Sequence, residues 1–336
     1  DVIEMDSSKQ IVTITGATGF VGRYFVERLV SEKKYRIRCL VRHTSDVSPL
    51  RALDPDISFH YGDITQKSSL SAAFKGAWGV VNIAAYREFW SRNKRHFSAL
   101  NERGATNVFE SCLEAGVEKV VQVSTPLAYG VPDTLPFNKQ TLPGRHPSNY
   151  ARSKYLGDQA GWVMYENKGL PLTIVHLAAV IGAGDDKETM EVKRAVDGKL
   201  PALIGADTTH TYVYVKDAAD AIARALIKKD SVGRSYLIGN QRATTRDYFK
   251  NSGRIADVPV PNWNIPESFL WPLAMGMDIV ARKTGRRPMI PLDVLKTTAA
   301  GSLSFDPSRG INQLGMSYTV LETALAEAVA ESRATG

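Results

Sequence analysis

Tyr150 and Lys154 stand four residues apart in the run Tyr150-Ala151-Arg152-Ser153-Lys154. On a helix that spacing puts a phenol and an ammonium on one face. A phenol with an ordinary pKa near about 10 is a poor proton donor or acceptor at neutral pH. A neighbouring cation favours the phenolate and lowers that value, so Tyr150 could protonate an alkoxide or take the proton back. Twenty-five residues upstream, Ser124 and Thr125 close an apolar run, and Thr125 could hold the same oxygen in line. A second stretch, Thr15 to Gly22 (TGATGFVG), repeats glycine at positions 16, 19 and 22. At a strand-to-helix turn, such glycines let backbone N–H groups and the positive end of a helix dipole face a pyrophosphate. Gly16 would allow the tight turn, Gly19 the approach of the phosphates and Gly22 the packing of helix on strand. The spacing is GxxGxxG rather than GxGxxG. Either stretch alone has a bland reading, as turn punctuation or as an exposed helical pair. Together they point to an enzyme that uses a dinucleotide.

Elements of the right kind surround both. Ile11–Ile14 is a β-branched run that predicts a buried strand, and Phe20–Val30 carries apolar residues at helical spacing. Further strands are predicted at Arg36–Val41, Ile57–Tyr61, Gly79–Ala84, Lys119–Ser124 and Leu172–Leu177, with helices at Asn101–Ala115 and Tyr150–Asn167. The alternation implies an α/β fold, a doubly wound parallel sheet with ligands at the carboxyl ends of its strands. After about residue 178 regularity breaks into a Gly/Asp-rich loop (Gly182–Lys187), a short helix, a strand and helix over Tyr212–Lys228, and a return to the sheet at Arg234–Gly239. The Pro- and Trp-containing region from Asn240 predicts a smaller C-terminal substrate-binding cap. The expected division is 10–178 plus 212–240 for the cofactor, and 179–211 plus 241–330 for the cap.

Composition excludes several classes. The chain has 336 residues, 43% of them apolar, enough for a large core. Two cysteines, Cys39 and Cys112, are too few for a disulfide framework and fit a reducing, cytoplasmic setting. No apolar run is long enough to span a bilayer, and no signal-peptide pattern opens the sequence; Asp1–Gln10 predicts a frayed polar lead-in. The net charge of +7 comes from scattered cations without an aromatic-interleaved stripe, so nucleic acid is not the expected partner. An anionic cofactor fits that balance.

Cofactor choice turns on the second strand. Enzymes that use NAD carry an acid at its end, for the ribose 2′-hydroxyl. Here it ends Val41-Arg42-His43-Thr44, with no acid before Asp46. Arg42 could grip a 2′-phosphate, which predicts NADP(H) over NAD(H). Arg38 on the same strand reads as an outward-facing charge.

The chain resembles the extended short-chain dehydrogenases/reductases over nearly its whole length. TGATGFVG, Tyr61-Gly62-Asp63, Ala84-Ala85, Asn101 with Gly104, Val123-Ser124-Thr125 running to Tyr129-Gly130, the Tyr150/Lys154 pair and Val215-Lys216-Asp217-Ala218-Ala219 all match that family's motifs. It is most similar to the branch of dihydroflavonol reductases and 3β-hydroxysteroid dehydrogenases. The resemblance implies a Rossmann domain, catalytic Thr125, Tyr150 and Lys154, and Asn101 supporting the lysine through backbone and water. It implies that Lys154 touches the nicotinamide ribose and Asp63 the adenine amino group. Gly16, Thr18, Gly19, Phe20, Val21, Gly22, Arg42, Asp63, Ile64, Ala84, Ala85, Tyr150, Lys154 and Leu177 would contact the cofactor, and no metal is implied.

The expected substrate is a largely apolar or aromatic ketone, aldehyde or alcohol. Tyr86, Phe89 and Trp90 are wall candidates beside Thr125 and Tyr150, with Phe269, Leu270, Trp271, Leu273 and Met275 of the cap. Residues 269–280 are apolar enough to touch a membrane surface, although Pro272 should interrupt a helix there and Asp278 intrudes. A nucleotide-sugar epimerase or dehydratase with tightly held NAD is an alternative. Against it, His210–Val215 lacks the diphosphate-binding arginine of those relatives, and His176-Leu177-Ala178-Ala179 lacks their Arg-Pro. A non-catalytic NADP-binding redox sensor is a third possibility, opposed by the retained Tyr/Lys pair. Monomer and homodimer are both open.

Overall fold

The protein is described by a computed structural model that covers residues 9–185 and 188–334. The lead-in predicted over Asp1–Gln10 lies outside the described residues as far as Ser8, and Gln10 already opens the first strand. Among the described residues ten strands follow in order: β1 (Gln10–Thr15), β2 (Tyr35–Val41), β3 (Ser58–Tyr61), β4 (Gly79–Asn82), β5 (Lys119–Ser124), β6 (Leu172–Leu177), β7 (Ala179–Ile181), β8 (Thr209–Tyr214), β9 (Arg234–Ile238) and β10 (Gln241–Thr244).

Seven of them form one parallel sheet in the order β3-β2-β1-β4-β5-β6-β9. Its strands are apolar runs rather than alternations because both faces are covered, which is the rule for parallel sheets. Val81, Val121 and Val175 face Phe25, Leu29 and Ile222, from the helices Phe20–Glu32 and Val215–Ile227. Val80, Val120 and Ile174 face the other way, onto Phe109 of helix Ala105–Ala115 and Met164 of helix Asn149–Lys168. Winding reverses between β1 and β4. The crevice outside the carboxyl ends of those two strands is where open α/β sheets hold ligands.

β7, β8 and β10 make a second, three-stranded sheet in the order β10-β8-β7. The strand predicted from Tyr212 as part of the cofactor unit therefore belongs to this small sheet. The helix that follows it packs beside Phe20–Glu32, and β9 joins the main sheet as expected.

The cap includes the helices Thr245–Ala256, Glu267–Thr284 and Leu292–Ala299. Glu267–Thr284 runs straight through Pro272, contrary to the expected interruption. Proline forfeits one backbone hydrogen bond, while the inward stripe Leu270, Ala274, Asp278 and Ala281 is buried and holds the helix in place. Asp278 does not intrude on the outer face either: its carboxylate accepts from Trp90 Nε1 at 3.2 Å and Arg282 Nε at 2.7 Å. Phe269, Leu273 and Met275 are exposed, Leu273 lining an open groove with Pro272, Gly276, Met277 and Val280, whereas Leu270 and Trp271 pack within the cap. Among the described residues, no helix is long and apolar enough to cross a membrane.

Candidate active site

The glycine turn leaves β1 at the winding reversal. Gly16 has a left-handed φ of 72°, and a Cβ there would meet Ala84 N at 2.6 Å, so the turn presses directly on the end of β4. A Cβ at Gly22 would stand 2.1 Å from Gly16 O, which is the close helix-on-strand packing expected of it. Gly19 differs. It is exposed, its nearest neighbour would be Gly16 O at 3.3 Å, and it is the N-cap of helix Phe20–Glu32 with no side chain capping the first turn. The first N–H groups of a helix have no acceptor within it. Open space, free donors and a positive helix end thus coincide at Gly19, and the cradle fits a pyrophosphate. Thr18 and Val21 border it half-buried; Phe20 and Ile64 are core side chains, so only their backbones could contribute.

At the end of β2, Arg42 is exposed, and its loop is closed by Ser45 N donating to Arg42 O at 2.9 Å. His43 stacks on Tyr61 beside it, with ring centroids 4.8 Å apart. Asp63 folds back on its own turn, one carboxylate oxygen accepting from Thr65 N and Oγ1 at 2.8 and 2.7 Å. Arg38 is not an outward-facing charge: its Nη1 donates to Ala73 O and Lys75 O, both at 2.8 Å, which accounts for its half-buried position.

Tyr150 and Lys154 project from helix Asn149–Lys168, whose start is fixed by Ser148 Oγ accepting from Ala151 N at 3.1 Å. Thr125, 8% exposed, follows β5, and its side chain lies beside Tyr150 and lowers the phenol's pKa. The edge of Phe89 meets the Tyr150 ring at 5.7 Å. Burial pushes the phenol up to about 12, opposed by Arg87 and by the neighbouring Thr125, and reinforced by Asp158. Arg87 leads the causes that lower it. Lys154 donates to Val123 O at 2.8 Å, and burial lowers its pKa against the pull of Asp158. A buried polar chain joins this point to the glycine turn. Thr15 Oγ1 donates to Asn82 Oδ1, Asn82 Nδ2 to Gln122 Oε1 at 2.7 Å, and Gln122 Nε2 to Val123 O at 3.3 Å.

Asn101 lies in a π-helical turn, Ser98–Gly104. Its amide exchanges hydrogen bonds with the Tyr86 backbone at 2.7 and 2.9 Å and donates to Ser153 Oγ at 2.9 Å. It ties the loop after β4 to the Tyr150 helix. Of the expected walls, Phe89 reaches Tyr150, while Tyr86 packs on Phe97 and Trp90 is held by Asp278. Ala84 and Ala85 border the turn half-buried, and Leu177 closes β6. Sequence reasoning missed Arg87, which pairs with the buried Asp185 at 3.5 Å, and the set Asp158 and His176 beneath Lys154. Asp158 was visible as the next residue at helical spacing after Tyr150 and Lys154. Nothing in the sequence paired Arg87 with Asp185. Among the described residues, no group of three or more His, Cys, Asp or Glu could hold a metal.

Residues 12–239 match the sequence profile of the NAD dependent epimerase/dehydratase family. The chain belongs to that family. This member is an extended short-chain dehydrogenase/reductase, of a family whose chemistry depends on NAD(P). It is 27% identical to a putative dihydroflavonol 4-reductase of Synechocystis, over 94% of this chain and 92% of that one. It is 24% identical to 3beta-hydroxysteroid-dehydrogenase/decarboxylase isoform 1 of Arabidopsis thaliana, over 95% and 78%. Among solved structures, that titled gox2253 superposes with a TM-score of 0.83 at 28% identity, covering 98% of this chain and 99% of the other. The UDP-glucose 4-epimerase of Thermus thermophilus in complex with NAD gives 0.77 at 22%, covering 97% and 100%, a likeness of fold alone.

Proposed function

We propose that this extended reductase reduces the ketone or aldehyde of a largely apolar or aromatic substrate with NADPH, or oxidises the matching alcohol with NADP⁺. The observation that carries the proposal is Tyr150 beside Thr125, on the helix face that also presents Lys154, at the strand end beside the glycine cradle. The nicotinamide supplies or accepts the hydride. Thr125 and Tyr150 present two hydroxyls to one carbonyl oxygen, fixing its position and polarising the carbonyl. As negative charge develops on that oxygen, Tyr150 gives up its proton; in the reverse direction it takes the alcohol proton. Lys154, anchored on Val123 O, keeps a buried cation next to the cofactor ribose site. Asn101 holds the β4 loop, and with it Phe89, against the Tyr150 ring.

NADP(H) over NAD(H) is supported by exposed Arg42 and by the lack of an acid at the end of β2. An apolar substrate is supported by Phe89 on Tyr150, and a cytoplasmic setting by two buried free cysteines. A panel of ketones, aldehydes and alcohols assayed with both cofactors tests the proposal. Net NADPH oxidation with a carbonyl is expected. Interconversion of a nucleotide sugar without net cofactor consumption would instead identify an epimerase.

A further inference from the structure

Beneath the catalytic pair, on the same helix and again four residues on, lies Asp158. The stripe Tyr150, Lys154, Asp158 points one way, and the last two are only 2% and 3% exposed. Ser124 Oγ donates to Asp158 Oδ2 at 2.5 Å, and His176 Nδ1 stands 3.8 Å from the same oxygen and 3.1 Å from Thr125 O. Asp158 Oδ1 is buried and carries no hydrogen bond. A carboxylate with one neutral hydroxyl bond and one bare oxygen is a poor way to stabilise a core; an apolar side chain of that size would be cheaper. What it does achieve is proximity to the parts that position the reaction: it accepts from Ser124 next to Thr125, lies 3.8 Å from His176 behind Thr125, and acts electrostatically on Lys154 one turn above.

The groups around it leave its charge uncancelled by anything but Lys154. His176, from β6, is pushed down to about 4 by burial and so is neutral. Tyr129, from the turn after β5, is pushed up by burial and is neutral as well. On its own helix Tyr150 is a neutral phenol, Arg152 and Lys168 are exposed, and Lys154 is the buried cation one turn away. Burial raises the Asp158 carboxyl itself to about 6, opposed by Lys154 and Ser124.

We propose that Asp158 is a positioning residue that acts through Lys154, its charge setting the pH range over which the Tyr150–Lys154 pair works. The proposal rests on the reductase reading above. A negative Asp158 favours ammonium at Lys154 and phenol at Tyr150, the two forms carbonyl reduction needs. Loss of that charge favours neutral Lys154 and ionised Tyr150, so both changes shift the alkaline limb of reduction in the same direction.

The test is the pH profile of carbonyl reduction for the parent, Asp158→Asn and Asp158→Glu, with folding followed by circular dichroism. Asp158→Asn keeps shape and removes charge, and its alkaline limb is expected at lower pH by about 1 unit, the size of a nearby-charge effect. It should lower kcat more than it raises KM for the carbonyl, and Asp158→Glu should restore the parental limb. A merely structural aspartate would lower activity at all pH values without moving the limb, and that result overturns the proposal. Should Asp158→Asn fail to fold, Ser124→Ala keeps the charge but removes a bond that favours it. Ser124→Ala also leaves Asp158 ionised at alkaline pH, so its alkaline limb should stay at the parental value, and a limb moved down by about 1 unit in that variant overturns the proposal. If the parent reduces no carbonyl, the reductase reading fails by itself. The same variants are then read through the pH dependence of NADPH affinity, in which Lys154 takes part: a limb shifted in Asp158→Asn upholds the role of Asp158, and an unshifted one removes it.

Discussion

Gly19 and Gly22 lie three residues apart in one turn, yet an added methyl should do opposite things at each. At Gly22 it would stand 2.1 Å from Gly16 O, 2.8 Å from Ala17 Cα and 2.9 Å from Ala17 C, all backbone atoms that cannot swing aside. Reaching ordinary contact requires the turn to open by about 1 Å, an overpacking cost of roughly 1–3 kcal/mol or more. At Gly19 the methyl meets only Gly16 O at 3.3 Å, and the φ of −78° is open to alanine. Its fold cost is that of a poorer N-cap, at most about 1 kcal/mol. The methyl does, however, occupy the space through which a phosphate approaches the helix end. Loss of one charge-assisted bond there, about 1.5–3 kcal/mol, corresponds to roughly 10- to 150-fold weaker binding. Thermal melts and NADPH fluorescence titrations of both variants separate the two effects. Gly22→Ala should melt several degrees lower; Gly19→Ala should melt close to the parent and bind NADPH at least about tenfold more weakly. Parental affinity in a folded Gly19→Ala protein would refute the assignment of the cradle.

Arg42→Ala should cost NADPH affinity about 1.5–3 kcal/mol and leave NADH affinity nearly unchanged; titration of both cofactors checks this, and equal losses would remove the 2′-phosphate contact. Lys154→Met should impair both turnover and cofactor binding, since the residue is anchored on Val123 O and is proposed to reach the ribose; intact NADPH affinity would deny it the second task. Burial raises the Tyr150 phenol to about 12, so the acid form prevails at neutral pH. Reduction should therefore persist through neutrality and fall on the alkaline side, while alcohol oxidation, which needs the phenolate, rises with pH. An oxidation rate independent of pH from 7 to 9 would contradict Tyr150 as the base.

Much of this arrangement was legible because each part had a local signature. β5 and β6 begin and end where their apolar runs do, since both faces of a parallel strand are buried. The Tyr150/Lys154 spacing marks a helix face without tertiary help. What escaped was written only in the fold. β7 and β10, three and four residues long, carry too little sequence to show a period. β8 looked like another strand of the main sheet because pairing partners are not encoded in a strand's own pattern. Pro272 read as a break because the burial that outweighs it comes from Leu270, Ala274 and Ala281 packing on the cap. Arg87, expected nowhere, leads the lowering of the phenol's pKa because the loop after β4 folds back over Tyr150, an arrangement Asn101 fixes through the Tyr86 backbone.

The central claim is that Tyr150 transfers the proton. Tyr150→Phe removes a single oxygen and keeps the ring that packs against Phe89. Single-turnover carbonyl reduction with NADPH already bound, on a substrate whose hydride step limits the rate, isolates that step. A loss of about 100-fold or more, with melting temperature and NADPH affinity unchanged, is the predicted result. Turnover within a few-fold of the parent would contradict the account.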